Sequence, residues 1–143
     1  MYALASLGRT FDVVLCLGVY YHLVDPFHAF AQIRHCCHPG TVVILEGDVV
    51  CGHGLAESGE PGIFIPSASA LRTMLRAAYL DVRSQRFLRT GRARAILDRL
   101  PGRLVFPRPV DRALTVCEPF CGRNELHAYE PPFGLAAYDE NCG

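Results

Sequence analysis

The chain has 143 residues, half of them apolar, with a formal net charge of zero and a pI near 7.0. That is enough for one domain with a core of its own. No apolar run is long enough to span a bilayer, and Met1 to Thr10 lacks the basic flank and cleavage pattern of a signal peptide, so a soluble cytoplasmic protein is expected. Taken in order, Met1 to Gly8 reads as the last turns of a helix that leads through Arg9-Thr10 into Phe11-Asp12-Val13-Val14-Leu15-Cys16-Leu17. This apolar, β-branched run has the pattern of a buried strand, and it ends in Gly18-Val19-Tyr20-Tyr21-His22. Asp25-Pro26 is a helix start, with a capping carboxylate followed by proline at the first helical position. In the helix that follows, up to Cys37, Phe27, Phe30, Ile33 and Cys37 fall near one face. Pro39-Gly40 ends it, and Thr41 to Glu46 is a second buried-strand run with Glu46-Gly47-Asp48 at its carboxyl end. Two such strands joined by a helix imply a parallel pair.

Cys51 to Gly62 holds four glycines and no period, so it reads as a loop over the carboxyl edge of the sheet. Pro66 to Leu80 is the next helix, capped by Ser67 or Ser69, with Leu71, Met74, Leu75 and Ala78 at the helical period. Val82 to Leu88 is a strand candidate, Ala95 to Leu100 a short helix, and Leu104 to Phe106 and Arg112 to Cys117 are further strands. Residues 118–143 contain Pro131-Pro132, scattered acids and no period. They read as an irregular or disordered tail after a domain spanning residues 1–117.

In open α/β sheets ligands sit at the carboxyl ends of the strands, which singles out Tyr20, Tyr21 and His22. His22 is either a general base for a substrate proton or a residue that fixes the loop by hydrogen bonding. Glu46 and Asp48 are substrate-facing acids or solvated caps, and with Tyr20 they form the candidate substrate-binding set. His35-Cys36-Cys37-His38, with Cys16, Cys51 and His53 in reserve, has the composition of a metal site. Adjacent cysteines on a helix point about 100° apart, however, so core thiols are the better account and no metal is expected. Seven cysteines, an odd count without a secretory signal, argue against a disulfide framework. The charge is unevenly placed: from Arg72 to Arg112 eleven arginines stand against three aspartates, and there is no lysine anywhere. Such a stripe is either a nucleic-acid contact or the solvated face of a chain whose only cation is arginine.

Phe11-Asp-Val-Val-Leu-Cys-Leu-Gly-Val-Tyr-Tyr-His-Leu-Val-Asp-Pro26 resembles the fourth strand and following loop of class I S-adenosylmethionine-dependent methyltransferases, closest to the tRNA wobble-uridine (5-carboxymethoxyuridine-forming) group. Phe64-Ile65-Pro66-Ser67, continued by Ala70-Leu71 and Leu75, is similar to that group's helix start. Pro107 to Leu114 is similar to the start of its last, antiparallel strand. The resemblance covers roughly residues 11–117. It implies an α/β fold: the carboxyl half of a Rossmann-like methyltransferase sheet. It also implies that Leu17, Gly18 and Tyr21 line the pocket of S-adenosylmethionine, and that Tyr21 and Arg112 hold the extra carboxylate where the cofactor is carboxy-S-adenosylmethionine. A phenol and a guanidinium suit a carboxylate. His22 and Tyr21 become the catalytic candidates, acting on tRNA or a small molecule.

No Gly-x-Gly turn precedes Phe11, so the resemblance implies that the amino-terminal strands are missing from this chain. The first strand would then carry an unpaired apolar flank that could recruit a partner chain or a second copy. Tyr79 stands where the family has a left-handed glycine, at a cost of about 1 kcal/mol if that geometry is kept. Glu57-Ser58-Gly59-Glu60-Pro61-Gly62 replaces an Arg-containing loop. The alternatives to an enzyme are a noncatalytic remnant that pairs with another chain and a small Arg-rich nucleic-acid-binding module.

Overall fold

The structure is a computed structural model, and it describes residues 1–50, 55–57, 64–88, 110–122 and 124. Strand β1 (Phe11–Leu17) is followed by helix α1 (Pro26–His35) and the long strand β2 (Cys37–Val50). A short pair, β3 (Leu55–Glu57) and β4 (Phe64–Pro66), leads into helix α2 (Ala68–Ala77), and strands β5 (Leu80–Leu88) and β6 (Val110–Pro119) complete the order. The main sheet runs β1-β2-β6-β5. β1 and β2 are parallel, with Val13 beside Val42 and Cys16 beside Leu45, while β6 runs antiparallel to both β2 and β5. This is the mixed α/β arrangement expected.

Both helices begin where their caps dictate. The Asp25 carboxylate accepts from the His28 amide at 3.0 Å ahead of Pro26, and Ser67 Oγ accepts from the Ala70 amide at 3.1 Å. Arg34 in the last turn of α1 complements its carboxyl end, while burial and the Arg34 charge push the neighbouring His35 imidazole toward its neutral form. Phe30 and Ile33 of α1 and Leu71, Met74 and Leu75 of α2 pack on Cys16, Val43, Leu45, Val49, Ala113 and Cys117 of the sheet. One face of the sheet is thereby covered.

The pleat sends alternate residues the other way. Phe11, Val13, Leu15 and Leu17 are 43, 54, 60 and 51% exposed, and β1 has a neighbour on one side only among the described residues. β1 is therefore an edge strand rather than the buried strand its composition suggests.

Several boundaries differ from the sequence reading. α1 stops at His35, and Pro39-Gly40 lies inside β2 instead of ending a helix. The register jumps here, from Phe11 beside Cys37 to Val13 beside Val42, so Pro39-Gly40 occupies a bulge. Local bonds satisfy the freed backbone: the His38 amide donates to Thr41 Oγ1 (2.8 Å), whose hydroxyl donates to the Phe11 carbonyl (2.6 Å). The expected loop between the second strand and second helix contains the β3–β4 hairpin, and Phe64–Pro66 is strand before Ser67 starts the helix. The amino-terminal helix is a single 3-10 turn, Leu4–Leu7, tied to α1 by the Ala5 amide on Gln32 Oε1 (2.9 Å). β6 extends to Pro119, two residues past the expected tail boundary. The elements expected at 95–100 and 104–106, and most of the tail, lie outside the described residues.

Candidate functional site

Four elements converge at the carboxyl ends of β1 and β2. β1 leaves the sheet at Gly18, whose φ of 66° is left-handed and whose amide donates to the Glu46 carbonyl at 2.8 Å. The chain then makes a 3-10 turn, Tyr20–His22, before α1. Antiparallel pairing sets Arg112 of β6 directly opposite Asp48, with Glu46 two residues along on the same face. The guanidinium reaches back across the strand: Nε lies 2.6 Å from Glu46 Oε1, NH2 donates to Oε2 at 3.1 Å, and Asp48 Oδ1 is 3.5 Å away. The same NH2 donates to the Tyr21 hydroxyl at 3.4 Å.

Tyr20 turns into the core. It is 1% exposed, its hydroxyl donates to the Asp48 carbonyl at 2.8 Å, and its ring meets Tyr21 edge-on at 5.6 Å. Burial and the neighbouring Asp48 and Glu46 carboxylates push its phenol far above the usual tyrosine range, so it acts as a fixed donor. Gly47 makes this possible. A Cβ there would lie 2.6 Å from the Tyr20 ring and 2.9 Å from Tyr21, so the strand can pass beneath the two edge-on phenols only as glycine.

The sequence candidates are thus gathered into one place. Gly18, Tyr21, Glu46, Asp48 and Arg112 form a contiguous polar cluster, Leu17 pairs beside Glu46, and Tyr20 props the loop from below. The exposed His22 imidazole packs at a tilt against Tyr21 with centroids 4.2 Å apart and has no side-chain hydrogen bond among the described residues. Two features escaped the sequence: the role of Gly47, whose signal was a lone glycine between two strand acids, and the Glu46 partner of Arg112. One aspartate, one glutamate and one arginine leave the cluster with an excess negative charge, which suits a cation.

The other functional candidates are engaged structurally. Cys37 Sγ donates to the Ile33 carbonyl (3.2 Å), Cys36 Sγ to the Leu4 carbonyl (3.8 Å), and His38 Nε2 sits 3.1 Å from Asp12. Burial pushes the Cys16 thiol up to about 11 and those of Cys37 and Cys117 up to about 12, which leaves them protonated and poor nucleophiles at neutral pH. Among the described residues no group of three potential ligands could hold a metal, and Cys51 and His53 lie outside them. Cys121, exposed just after β6, is disulfide-bonded, unlike the buried free Cys16, Cys36, Cys37 and Cys117, so one disulfide is present where the cysteine count argued against a framework of them.

Within the basic stripe, Arg76 pairs with Asp81 (3.1 Å), Arg83 with Glu118 (2.7 Å), Arg72 with Gln85 (3.0 Å) and Arg112 with Glu46. These arginines serve the sheet surface. Residues 89–109, with the rest of the stripe, lie outside the described residues.

No family model matches the chain, and no curated protein matches it in sequence. Solved structures do. The [4+2]-cyclase SpnF superposes with a TM-score of 0.58 at 17% identity, covering 79% of this chain and 52% of that one. An O-methyltransferase of a Brevibacillus brevis trans-AT polyketide synthase, in complex with S-adenosyl-L-homocysteine, gives 0.58 at 13%, covering 94% and 48%. The Burkholderia thailandensis 1,6-didemethyltoxoflavin-N1-methyltransferase, with bound 1,6-didemethyltoxoflavin and S-adenosylhomocysteine, gives 0.58 at 15%, covering 77% and 44%. The chain spans about half the length of these structures. At such identity the likeness establishes a methyltransferase-like α/β fold, and the cyclase among the three illustrates that this fold alone does not fix a reaction.

Proposed function

We propose that this chain supplies the carboxyl half of an S-adenosylmethionine-dependent methyl-transfer site. The observation that carries the reading is the cluster of Gly18, Tyr21, Glu46 and Arg112 at the carboxyl ends of two parallel strands. Its fold neighbours include methyltransferases crystallised with S-adenosylhomocysteine.

The residues present fit a sulfonium donor. When bound, S-adenosylmethionine supplies an electrophilic methyl group. Leu17 and Gly18 would line its pocket, Gly18 leaving open the space beside the Tyr21 hydroxyl and the Arg112 guanidinium, and the acidic excess of Glu46 and Asp48 over Arg112 would favour a positive centre. Tyr21, held by Arg112, fixes the loop against the donor. His22 presents an exposed imidazole one residue on, placed to take a proton from an acceptor's heteroatom as the methyl arrives. Rate enhancement on this scheme comes from alignment of acceptor and donor rather than from a covalent intermediate.

Carboxy-S-adenosylmethionine fits less well, because the Nε/NH2 edge of its intended Arg112 partner already faces Glu46. The small-molecule acceptor named for a fold neighbour favours that substrate class over tRNA, and the missing Arg-containing loop before Phe64 points the same way.

Isothermal titration of the chain with each donor tests the proposal. S-adenosylmethionine should give a saturable heat, and carboxy-S-adenosylmethionine a Kd at least tenfold weaker. Glu46→Ala, which frees the guanidinium fork, should narrow that gap by about tenfold, the worth of one charge-assisted pair. Absence of any heat with S-adenosylmethionine contradicts the reading.

A second reading rests on β1, whose bare flank suits strand addition from a second chain or copy, with the present chain acting as a noncatalytic partner.

A further inference from the structure

Beside the polar cluster, on the helical side of the sheet, lies a cavity of about 210 Å³ walled by Tyr20, Val24, Phe27, Phe64, Pro66 and Met74. We propose that it binds a planar, uncharged bicyclic ring and, on the reading of the function given above, holds the ring of the methyl acceptor.

The cavity is preformed. Tyr20 is pinned by its hydrogen bond to the Asp48 carbonyl and backed by Phe30, with ring centroids 6.1 Å apart. Two prolines stiffen the opposite walls: Pro26 opens α1 behind the Asp25 cap, and Pro66 ends β4 just ahead of the Ser67 cap of α2. Such walls lose little freedom on binding, which is where affinity for small rings is usually lost.

Size and chemistry then choose the ligand. An apolar cavity of about 150 Å³ stays dry and takes benzene, so one of about 210 Å³ has room for a second fused ring. Every lining side chain is apolar or aromatic except Asp25, a carboxylate whose Oδ1 caps the His28 amide. A neutral ring enters; an anionic one meets that carboxylate. The mouth is open, since Val24 is 80% exposed and Phe64 37%.

The test is a titration of isotopically labelled chain with naphthol and with naphthoate, read by chemical shifts. Naphthol should saturate, with shifts confined to Val24, Phe27, Phe64 and Met74, and naphthoate should bind at least tenfold more weakly. Val24→Asp and Phe64→Ser, both at exposed positions, should each weaken naphthol at least tenfold while circular dichroism stays unchanged. Shifts centred on Val13, Leu15 and Ile44 of the bare sheet face overturn the proposal. So does equal binding of the two probes, or unchanged affinity in both variants. No methyl donor is present in this experiment. Naphthol binding by a chain that gives no heat with S-adenosylmethionine therefore keeps the pocket and removes the function; the reverse result removes the pocket alone.

Discussion

Tyr79 shows how much a single backbone angle can weigh. It adopts φ 59°, the left-handed region that ordinarily selects glycine, directly after α2. Its amide donates to the Arg76 carbonyl at 3.0 Å and its carbonyl accepts from the Phe120 amide at 2.8 Å, so the turn is fixed from both sides. The side chain is 2% exposed, and burial of the ring, worth about 3–5 kcal/mol against alanine, exceeds the left-handed penalty of about 1–2 kcal/mol. Tyr79→Ala therefore loses the ring and keeps the strain, whereas Tyr79→Gly loses the ring and releases it. Urea denaturation should find Tyr79→Gly the more stable of the two by about 1 kcal/mol, with both well below the parent. Equal stabilities would mean that the turn relaxes out of this geometry. Gly47 is the converse case, a position where a close approach rather than an angle demands glycine.

At the scale of elements, the strength of each local signal decided what could be read in advance. β1, α1, α2 and the parallel β1–β2 pair were legible because β-branched runs, Asp25-Pro26 and Ser67 act within a few residues of one another. Pro39-Gly40 misled because a dipeptide that ends a helix serves equally well inside a bulge, and the choice between them was made by Thr41 and His38, which bond the freed backbone. The β3–β4 hairpin was hidden among glycines, with strands of only three residues each. At the site, the gathering of Tyr21 with Arg112 followed from the resemblance, but the capture of Arg112 by Glu46 depends on a strand register that no sequence window contains. The edge character of β1 carries its own consequence. A strand exposing Val13, Leu15 and Leu17 on one face and, among the described residues, an unpaired backbone on its flank should self-associate. Sedimentation at tens of micromolar should detect dimers or larger species, and Leu15→Glu should return the monomer. A parent chain that sediments as a monomer removes the second reading of the function.

At the scale of the whole molecule, the described residues bury three thiols in the core on the helix-covered face of the main sheet. Cys16, Cys37 and Cys117 are held protonated up to about 11, 12 and 12, against an ordinary value of 9.0. In the unfolded chain they ionise first. The stability they contribute is therefore complete below pH 9 and is lost as pH rises from 9 toward 11 and 12, at about 1.4 kcal/mol per pH unit for each thiol. Urea midpoints should be flat from pH 7 to 8.5 and fall steeply above 9; a midpoint unchanged to pH 10.5 would mean that these cysteines are reached by solvent. The central claim, that the end of this sheet forms half of a sulfonium-donor site, is tested most directly by following backbone amides while S-adenosyl-L-homocysteine is titrated into the chain. Saturable shifts at Gly18, Tyr21 and Glu46, abolished in Tyr21→Ala, are the predicted result. Amides at the carboxyl ends of β1 and β2 that stay still while the product is raised to its solubility limit would contradict it.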